Sequence, residues 1–223
     1  MRTVIAKPFE CAYHEKIKWK NTEQRCVMDM LADPVTTVKT ISGSFGSGKS
    51  YLGLAYAMNA IQNGVYDKLV WVRNTIEVRD SNSIGYLKGS YLDKMVVWAG
   101  PLIDFLGGIE RLEDHINRGQ IAIEHLGFLR GRNLANSVVY CTEAEHLTRE
   151  HVQLLLGRIA EGSILILEGD CRQIDAKAFE KDNGLEAAIT RLKGNKLFGY
   201  VHLNESVRSE TAKLADLLDK ERT

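Results

Sequence analysis

The 223-residue sequence has only three prolines and no glycine- and serine-rich tract, internal repeat or low-complexity segment. Linkers between domains are commonly rich in such residues, so no domain boundary is indicated. Hydrophobic residues make up 44% of the chain and charged residues 26%, which is a globular composition. We therefore predict a single α/β domain over residues 1–223, in which residues 1–34 form an N-terminal segment before the first core strand.

Cysteine and histidine are too few and too scattered for the usual disulfide or metal patterns. The four cysteines form no C-x-x-C pair, and the six histidines do not fall at metal-ligand spacings. The N-terminus lacks the apolar core of a signal peptide, and no apolar run approaches the ~20 residues of a membrane helix. We expect a reduced, cytoplasmic protein without structural zinc, disulfides or membrane contact.

The chain also lacks an excess of charge of either sign, since 29 basic residues balance 29 acidic ones. Domains that bind nucleic acid are usually strongly basic, so the overall charge does not indicate such a partner, and the absence of one stays open. Binding to nucleic acid would have to depend on local basic residues. The candidates are Arg73, Arg79, Lys88, Arg130 and Arg132.

What the sequence does contain is a phosphate-binding pattern. Residues 43–50 read Gly-Ser-Phe-Gly-Ser-Gly-Lys-Ser and match G-x-x-x-x-G-K-S, between a β-branched run and a helix-like run. Glycines let backbone N–H groups point at a phosphate, while the lysine adds charge near the β- and γ-phosphates and the serine hydroxyl serves Mg²⁺. The predicted nucleotide-binding residues here are Gly43, Ser44, Phe45, Gly46, Ser47, Gly48, Lys49, Ser50 and Tyr51.

Strand-like and helix-like segments alternate along the chain. Apolar or alternating runs predict strands over 35–41, 68–73, 120–124, 137–141, 163–168 and 198–203. Helical spacing predicts helices over 22–31, after the phosphate loop, over 91–106 with a break at 100–101, and around 112–119, 148–160 and 184–192. This order predicts a parallel sheet that binds ligands beyond the carboxyl ends of its strands.

Two predicted strands end in polar residues that suit phosphate chemistry. The run 137–141 is followed by Thr142-Glu143-Ala144-Glu145, at the Walker B position, where one carboxylate holds Mg²⁺ and the next can activate water. The run 163–168 leads into residues 169–173, where a polar side chain is well placed to read a γ-phosphate. Carboxylates rarely stand at buried strand ends without a function.

Several other residues admit two interpretations each. Gln24 lies in the first turn of a predicted helix, where its amide suits the edge of adenine; a surface glutamine is equally consistent. Arg73 at a strand end could bind phosphate or simply be solvated. Arg130 and Arg132 flank a glycine and suit a phosphate of nucleotide or nucleic acid, although the sequence alone favours an exposed basic turn.

Together these blocks resemble the PhoH-like family of P-loop ATPases, whose core is similar to that of superfamily 1 helicases. The resemblance runs from about Gln24 to the C-terminus. Its most specific blocks are Gly-Tyr-Leu within 84–89, Arg-Gly-Arg within 128–134 and Gly-Asp-x-x-Gln-Ile-Asp at 169–175. The phosphate loop by itself indicates only a superfamily.

The resemblance implies a three-layer, RecA-like P-loop fold with a mostly parallel central sheet, and ATP hydrolysis with Mg²⁺. It assigns adenine recognition to Gln24, the general base to Glu143 and γ-phosphate sensing to Gln173. Arg208 is assigned a phosphate contact, and Arg158 matches another family arginine that could act in trans. The resemblance also implies a hexameric ring and a link to single-stranded RNA or DNA.

Two positions differ from the family pattern in ways that matter for chemistry. Thr142 stands where the family usually has aspartate, and its hydroxyl can hold a metal-bound water but brings no negative charge. Glu145 stands where the family usually has glutamine, and it adds charge near the γ-phosphate. Asn74 also replaces a usual proline. These differences affect the expected turnover rate more than nucleotide binding.

Three functions are consistent with the sequence. The first is a Mg²⁺-dependent ATPase coupled to single-stranded nucleic acid. The second is an ATP-binding, weakly hydrolysing module whose assembly is gated by nucleotide, because Thr142 replaces the usual aspartate. The third, a small-molecule kinase, is disfavoured because no arginine-rich lid segment follows the first βαβ unit.

Overall fold

The computed structural model describes residues 9–11, 14–74, 96–172, 179 and 182–207. Its elements, in chain order, are β1 (Phe9–Cys11), β2 (His14–Ile17), α1 (Thr22–Ala32), β3 (Val38–Gly43), α2 (Lys49–Gln62), β4 (Lys68–Arg73), a 3₁₀ turn (Val97–Ala99), α3 (Gly100–Leu106), α4 (Ile109–Asn117), β5 (Ile121–His125), a 3₁₀ turn (Leu126–Leu129), β6 (Ser137–Thr142), a 3₁₀ turn (Ala144–His146), α5 (Arg149–Leu156), β7 (Ile164–Gly169), α6 (Gly184–Leu192) and β8 (Phe198–Leu203). The candidate nucleic-acid residues Arg79 and Lys88 lie outside the described residues, as do residues 208–223.

The central sheet has six strands in the order β5-β4-β6-β7-β3-β8. All of its strand pairs are parallel, so the carboxyl ends of all six strands lie along one edge. Strand β3, which leads into the phosphate loop, pairs with β7 and β8. Strand β7 therefore separates the phosphate-loop strand from β6, the strand that ends at Thr142.

Helices cover both faces of this sheet, each over its own apolar core. One core joins α1, α2, α3 and α4 to one face, where Trp71 and Tyr140 stack with ring centroids 5.1 Å apart. The other joins α5 and α6 to the opposite face. The three layers confirm the predicted α/β, RecA-like P-loop fold. Among the described residues, no helix is long and apolar enough to cross a membrane.

Element bounds differ from the predicted ones where local hydrogen bonds intervene. Strand β3 begins at Val38 rather than at residue 35, because the Asp33 side chain accepts hydrogen bonds from Val35 N and Thr36 Oγ1 and forms a turn. Helix α5 ends at Leu156 rather than at residue 160, because the following backbone pairs with Leu134 instead.

Two further differences concern segments that lack a strong apolar pattern. The predicted break at 100–101 is the start of α3, where proline in the first helical turn costs no backbone hydrogen bond. Strands β1 and β2 form an antiparallel hairpin within the N-terminal segment, which the sequence pattern did not predict.

A buried lysine attaches α1 to the sheet. Lys39 lies in β3 and is fully buried, and its Nζ donates to the carbonyl oxygens of Met30 and Asp33, each at 2.7 Å. These carbonyls lie at the C-terminal end of α1, where cations are favourable. Burial lowers the pKa of Lys39 to about 8. The contact fixes the helix that carries Gln24 relative to the strand that carries the phosphate loop.

Candidate nucleotide-binding site

The phosphate loop connects β3 to α2 and has three glycines in left-handed backbone conformations. The φ angles of Gly43, Gly46 and Gly48 are 152°, 70° and 93°. A Cβ on Gly43 would lie 2.5 Å from the Leu203 carbonyl oxygen of β8, so the close approach of two strands also requires this glycine. The loop therefore has the backbone form that the pattern predicts, and α2 begins directly after Gly48.

The polar side chains of the loop bind its own carbonyl oxygens. Lys49 Nζ donates to Gly43 O at 2.7 Å and to Ser44 O at 3.0 Å. The buried Ser47 donates from Oγ to Ser44 O at 2.9 Å. The ammonium group thus lies within the loop at the N-terminal end of α2, where both the charge and the helix dipole favour an anion.

Two aromatic side chains lie beside the loop. Phe45 is 61% exposed and Tyr51 is 40% exposed, and the Tyr51 ring meets Phe105 edge-on with centroids 6.0 Å apart. Aromatic rings of this kind can pack against a flat ligand.

Gln24 contacts the phosphate loop directly, so the surface-glutamine interpretation is wrong. Its side chain is buried, its Nε2 donates to Ser47 O at 2.9 Å, and its Oε1 accepts from Lys20 N at 2.7 Å. A cavity of about 400 Å³ adjoins it. The residues lining this cavity are Lys18, Lys20, Gln24, Gly48, Tyr51, Leu52 and Val207. The cavity is a candidate site for the nucleotide base.

Four side-chain positions form a row across the carboxyl edge of the sheet. Ile41 of β3 pairs with Glu168 of β7, and Arg73 of β4 pairs with Thr142 of β6. Cys141 pairs with Leu167, so Thr142 and Glu168 follow at the same level. Positions at one level of a parallel sheet face the same side, and here that side is the one covered by α2.

Glu143 follows this row in an unusual backbone conformation and is held by two basic side chains. Its φ of 52° is left-handed, which is costly for a residue with a Cβ and is found preferentially at functional sites. Its carboxylate pairs with Arg73 Nη2 and lies 3.8 Å from His146 Nδ1. Burial opposes ionisation, but the hydrogen bond with His146 and the charge of Arg73 outweigh it and lower the pKa of Glu143.

Arg73 is therefore engaged inside the protein rather than displayed at a solvated strand end. Besides Glu143, its guanidinium lies over the Trp98 ring, 5.6 Å from the centroid. In this arrangement Arg73 positions Glu143, the candidate general base. The contact of Arg73 with nucleic acid stays a prediction.

Glu168 is a functional candidate that the sequence analysis did not single out. Its buried carboxylate accepts a hydrogen bond from Ser50 Oγ at 2.6 Å through Oε1, and one from the Tyr140 hydroxyl at 2.6 Å through Oε2. Burial raises the pKa of Glu168. A carboxylate as the last side chain of a buried strand was the available signal, because it obeys the rule applied to Glu143.

The Glu145 side chain is buried against the C-terminal end of β7. Its Oε2 accepts from the Asp170 backbone N–H at 3.1 Å. Asn183 Nδ2 donates to the Glu145 carbonyl oxygen at 3.0 Å. Burial raises the pKa of Glu145 to about 7.

Glu145→Gln is expected to stabilise the protein at pH 8 but hardly at pH 4.5. The folded state holds the Glu145 proton up to about pH 7, whereas the unfolded chain releases it near its ordinary value, so ionisation costs stability as pH rises between the two. Glutamine avoids this cost, and the gain should reach about 1–3 kcal/mol. Urea denaturation at both pH values measures it. Glu113→Gln, which removes an exposed carboxylate of α4, controls for net charge; an equal gain from both variants would contradict the assignment.

The Arg-Gly-Arg turn is exposed and stands far from the phosphate loop. Arg130 and Arg132 follow β5, and Arg132 Nη1 lies 3.3 Å from a Glu124 carboxylate oxygen. Strand β5 is four strands away from β3, which corresponds to about 19 Å at the usual strand spacing. Within one chain, these arginines are therefore too distant to contact the phosphates in the loop. Arg158 lies nearby, with Nη1 3.4 Å from the Arg132 carbonyl oxygen.

Gln173 and Arg208, predicted as the γ-phosphate sensor and a phosphate contact, lie outside the described residues. The structure does describe Asp170 and Arg172 at the end of β7 and Val207 after β8. Val207 N donates to Gly46 O at 3.0 Å, so the chain approaches the phosphate loop directly before position 208.

Oxygen donors at the site fit a hard cation such as Mg²⁺. Ser50 Oγ, Thr142 and the Glu168 carboxylate lie on the same side of the sheet edge, and such oxygens are the preferred ligands of Mg²⁺. No group of three or more His, Cys, Asp or Glu side chains that could hold a metal occurs in the described part of the chain. Mg²⁺ usually takes few protein ligands and is completed by water and phosphate.

Comparison with known proteins finds one matching family model and several similar relatives. The family model described as PhoH-like protein matches residues 16–218. Protein PhoH2 of Bacillus subtilis is 35% identical over 214 residues, which are 91% of this chain and 48% of the relative. Protein PhoH2 of Thermobispora bispora is 32% identical over 201 residues, 89% of this chain and 46% of the relative. The chain thus spans about half the length of these relatives.

A solved structure is also similar in fold. It is the crystal structure of Pif1 from a Bacteroides species in complex with ADP-AlF4, at 13% identity and a TM-score of 0.46. The similarity covers 91% of this chain and 46% of that one.

Proposed function

Since the chain belongs to the PhoH-like protein family, we propose that it is a Mg²⁺-dependent ATPase whose turnover is coupled to single-stranded RNA or DNA. The observation that carries the proposal is the phosphate loop with acidic side chains at the neighbouring strand ends. Lys49 and Ser50 begin α2, Ser50 Oγ binds the Glu168 carboxylate, and Glu143 follows β6. Phosphoryl transfer requires such a combination of anion site, cation ligands and a base.

In this proposal each part of the site has its own role. Backbone N–H groups of residues 43–50, Lys49 and the N-terminus of α2 bind the β- and γ-phosphates. The cavity beside Gln24 receives the base, and Gln24 fixes the loop through Ser47 O. Glu143 orients the attacking water by accepting its hydrogen bond, and Arg73 keeps that carboxylate ionised.

Ser50 and Thr142, the latter through a water molecule, are the proposed metal-side residues. Mg²⁺ supplies positive charge for the phosphate oxygens when bound. We further propose that the protein acts in the cytoplasm as a homo-oligomer, with a hexameric ring as the form that the family resemblance implies.

The test is ATP turnover by the purified protein with Mg²⁺, alone and with single-stranded RNA or DNA, alongside a nucleotide-binding titration. Turnover that rises with nucleic acid supports the proposal, and absence of any ATP binding contradicts it. Nucleic-acid binding should weaken with salt and with Arg130→Ala, since Arg130 is exposed. A binding signal that is insensitive to salt would count against a phosphate contact.

A second candidate function is a nucleotide-gated assembly module that binds ATP but hardly hydrolyses it. The observation that favours it is Thr142, which brings no charge to the position where the family usually has aspartate. Thr142→Asp separates the two functions in a turnover assay. A large gain in turnover indicates an attenuated site, whereas an unchanged rate indicates that the wild-type metal side is already adequate.

A further inference from the structure

We infer that Glu168 supplies the metal-side carboxylate of the phosphate site in place of the aspartate that Thr142 lacks. The acidic group has moved by one strand, from the end of β6 to the end of β7. This inference deepens the proposed function and rests on it, because it concerns the metal that accompanies ATP.

Glu168 is in direct contact with the phosphate loop. Glu168 Oε1 lies 2.6 Å from Ser50 Oγ, and Ser50 is the loop residue whose hydroxyl serves the cation. An oxygen that close to Ser50 is within reach of a cation bound by Ser50, either directly or through one water molecule. Ser50 and Glu168 would therefore hold the cation together, in place of the hydrogen bond that joins them here.

The sheet register also brings Glu168 close to both Thr142 and the phosphate-loop strand. Thr142 and Glu168 follow the paired residues Cys141 and Leu167 on adjacent strands, so their side chains face the same side at about the 4.8 Å spacing of neighbouring strands. Strand β7 is also the strand next to β3, whereas β6 is one strand further from it. A carboxylate at Glu168 therefore stands nearer to the phosphate-loop strand than one at Thr142 would.

The described surroundings of Glu168 contain no direct ion-pair partner. Glu168 is only 4% exposed, yet both of its hydrogen bonds come from neutral hydroxyl groups. Among the described residues, no lysine, arginine or histidine forms an ion pair with it. Buried carboxylates are normally paired with a positive group or coordinate a metal. The charge of Lys49 acts on the Glu168 carboxylate without forming an ion pair with it, so a cation at the phosphate site would be its direct partner.

The alternative is a purely structural role, in which Glu168 only joins Tyr140 to Ser50. Tyr140→Phe removes that connection and keeps the negative charge, whereas Glu168→Gln keeps the amide oxygen as an acceptor for Ser50 and removes the charge. The two variants therefore separate charge from structure within one hydrogen-bonded group.

The experiment titrates Mg²⁺ into the complex of each protein with a fluorescent ATP analogue, and Mn²⁺ binding followed by electron paramagnetic resonance provides a second readout. Glu168→Gln should weaken Mg²⁺ and Mn²⁺ binding roughly 10–100-fold while leaving analogue affinity in EDTA within about threefold of wild type. Tyr140→Phe should bind the cations like wild type. Adding Thr142→Asp to Glu168→Gln should restore most of the cation affinity.

Wild-type cation affinity in Glu168→Gln would overturn the inference, as would an equal loss in Tyr140→Phe. Failure of the double variant to recover would also overturn it, provided that its unfolding transition matches that of Glu168→Gln. A wild-type protein that binds no ATP analogue in either buffer would instead overturn the proposed function, so the two failures are distinguishable.

Discussion

Glu143→Gln should reduce ATP turnover by roughly 10²–10⁴-fold while ATP binding stays within a fewfold of wild type. The substitution keeps the size of the side chain and its hydrogen bond with Arg73, but it removes the carboxylate that would accept a hydrogen bond from the attacking water. Glu143 lies after β6, outside the phosphate loop itself, so the groups that bind the phosphates are unchanged. Steady-state turnover and a titration with a fluorescent ATP analogue measure the two effects separately.

Glu124→Gln is the matched control for this variant. Glu124 is also a strand-end carboxylate that pairs with an arginine, Arg132, but it lies in β5, four strands from the phosphate loop. Its replacement should leave turnover without nucleic acid unchanged. Near-normal turnover in Glu143→Gln would remove Glu143 from the role of base.

Gly53→Ala should destabilise the folded protein by overpacking the core. Gly53 lies in α2 directly over Tyr140, and an added Cβ would be 2.7 Å from Tyr140 Cε2 and 2.9 Å from Cζ. The ring cannot retreat because Tyr140 is fully buried and stacks on Trp71. Overpacking of this kind costs about 1–3 kcal/mol, and here it opposes the gain of about 1 kcal/mol that alanine normally brings to a helix. Urea denaturation measures the loss.

Two comparisons isolate the clash. Gly157→Ala changes a glycine at the C-terminal end of α5 whose added Cβ would have only ordinary contacts, the closest at 3.4 Å, and it should be nearly neutral. In a Tyr140→Val background, Gly53→Ala should become neutral or stabilising, because the ring that opposes it is gone. Equal losses in both backgrounds would show that Tyr140 is not the cause.

Much of the fold follows from local patterns in the sequence. Strands β4 and β8 and helix α6 lie at their predicted residues, because short apolar runs and an asparagine cap mark their ends clearly. The phosphate loop could be predicted to the residue, since its backbone form depends on glycines at fixed spacings. These features depend on interactions between residues that are close in sequence.

The missed features depend on neighbours that are distant in sequence. The order of the strands places Glu168 beside Ser50, and nothing in the spacing of residues 50 and 168 indicates that contact. Likewise, the sequence leaves Arg73 open between a phosphate contact and a solvated strand end, and nothing in the spacing of residues 73 and 143 indicates the ion pair with Glu143. The sequence also does not show why Lys39 stands within an apolar strand. The reason is its hydrogen bonds with the carbonyl oxygens of Met30 and Asp33, which only the fold brings to it.

The pairing of β3 also has a consequence for the growing chain on the ribosome. Both neighbours of β3 in the sheet, β7 and β8, belong to the last third of the sequence. The strand that ends in the phosphate loop is therefore made early but stays unpaired in the sheet until at least Ile164–Gly169 have emerged, at about 5–20 residues per second. During this interval β3 lacks both of its sheet neighbours, and an unpaired strand of this kind is prone to aggregate in the nascent chain.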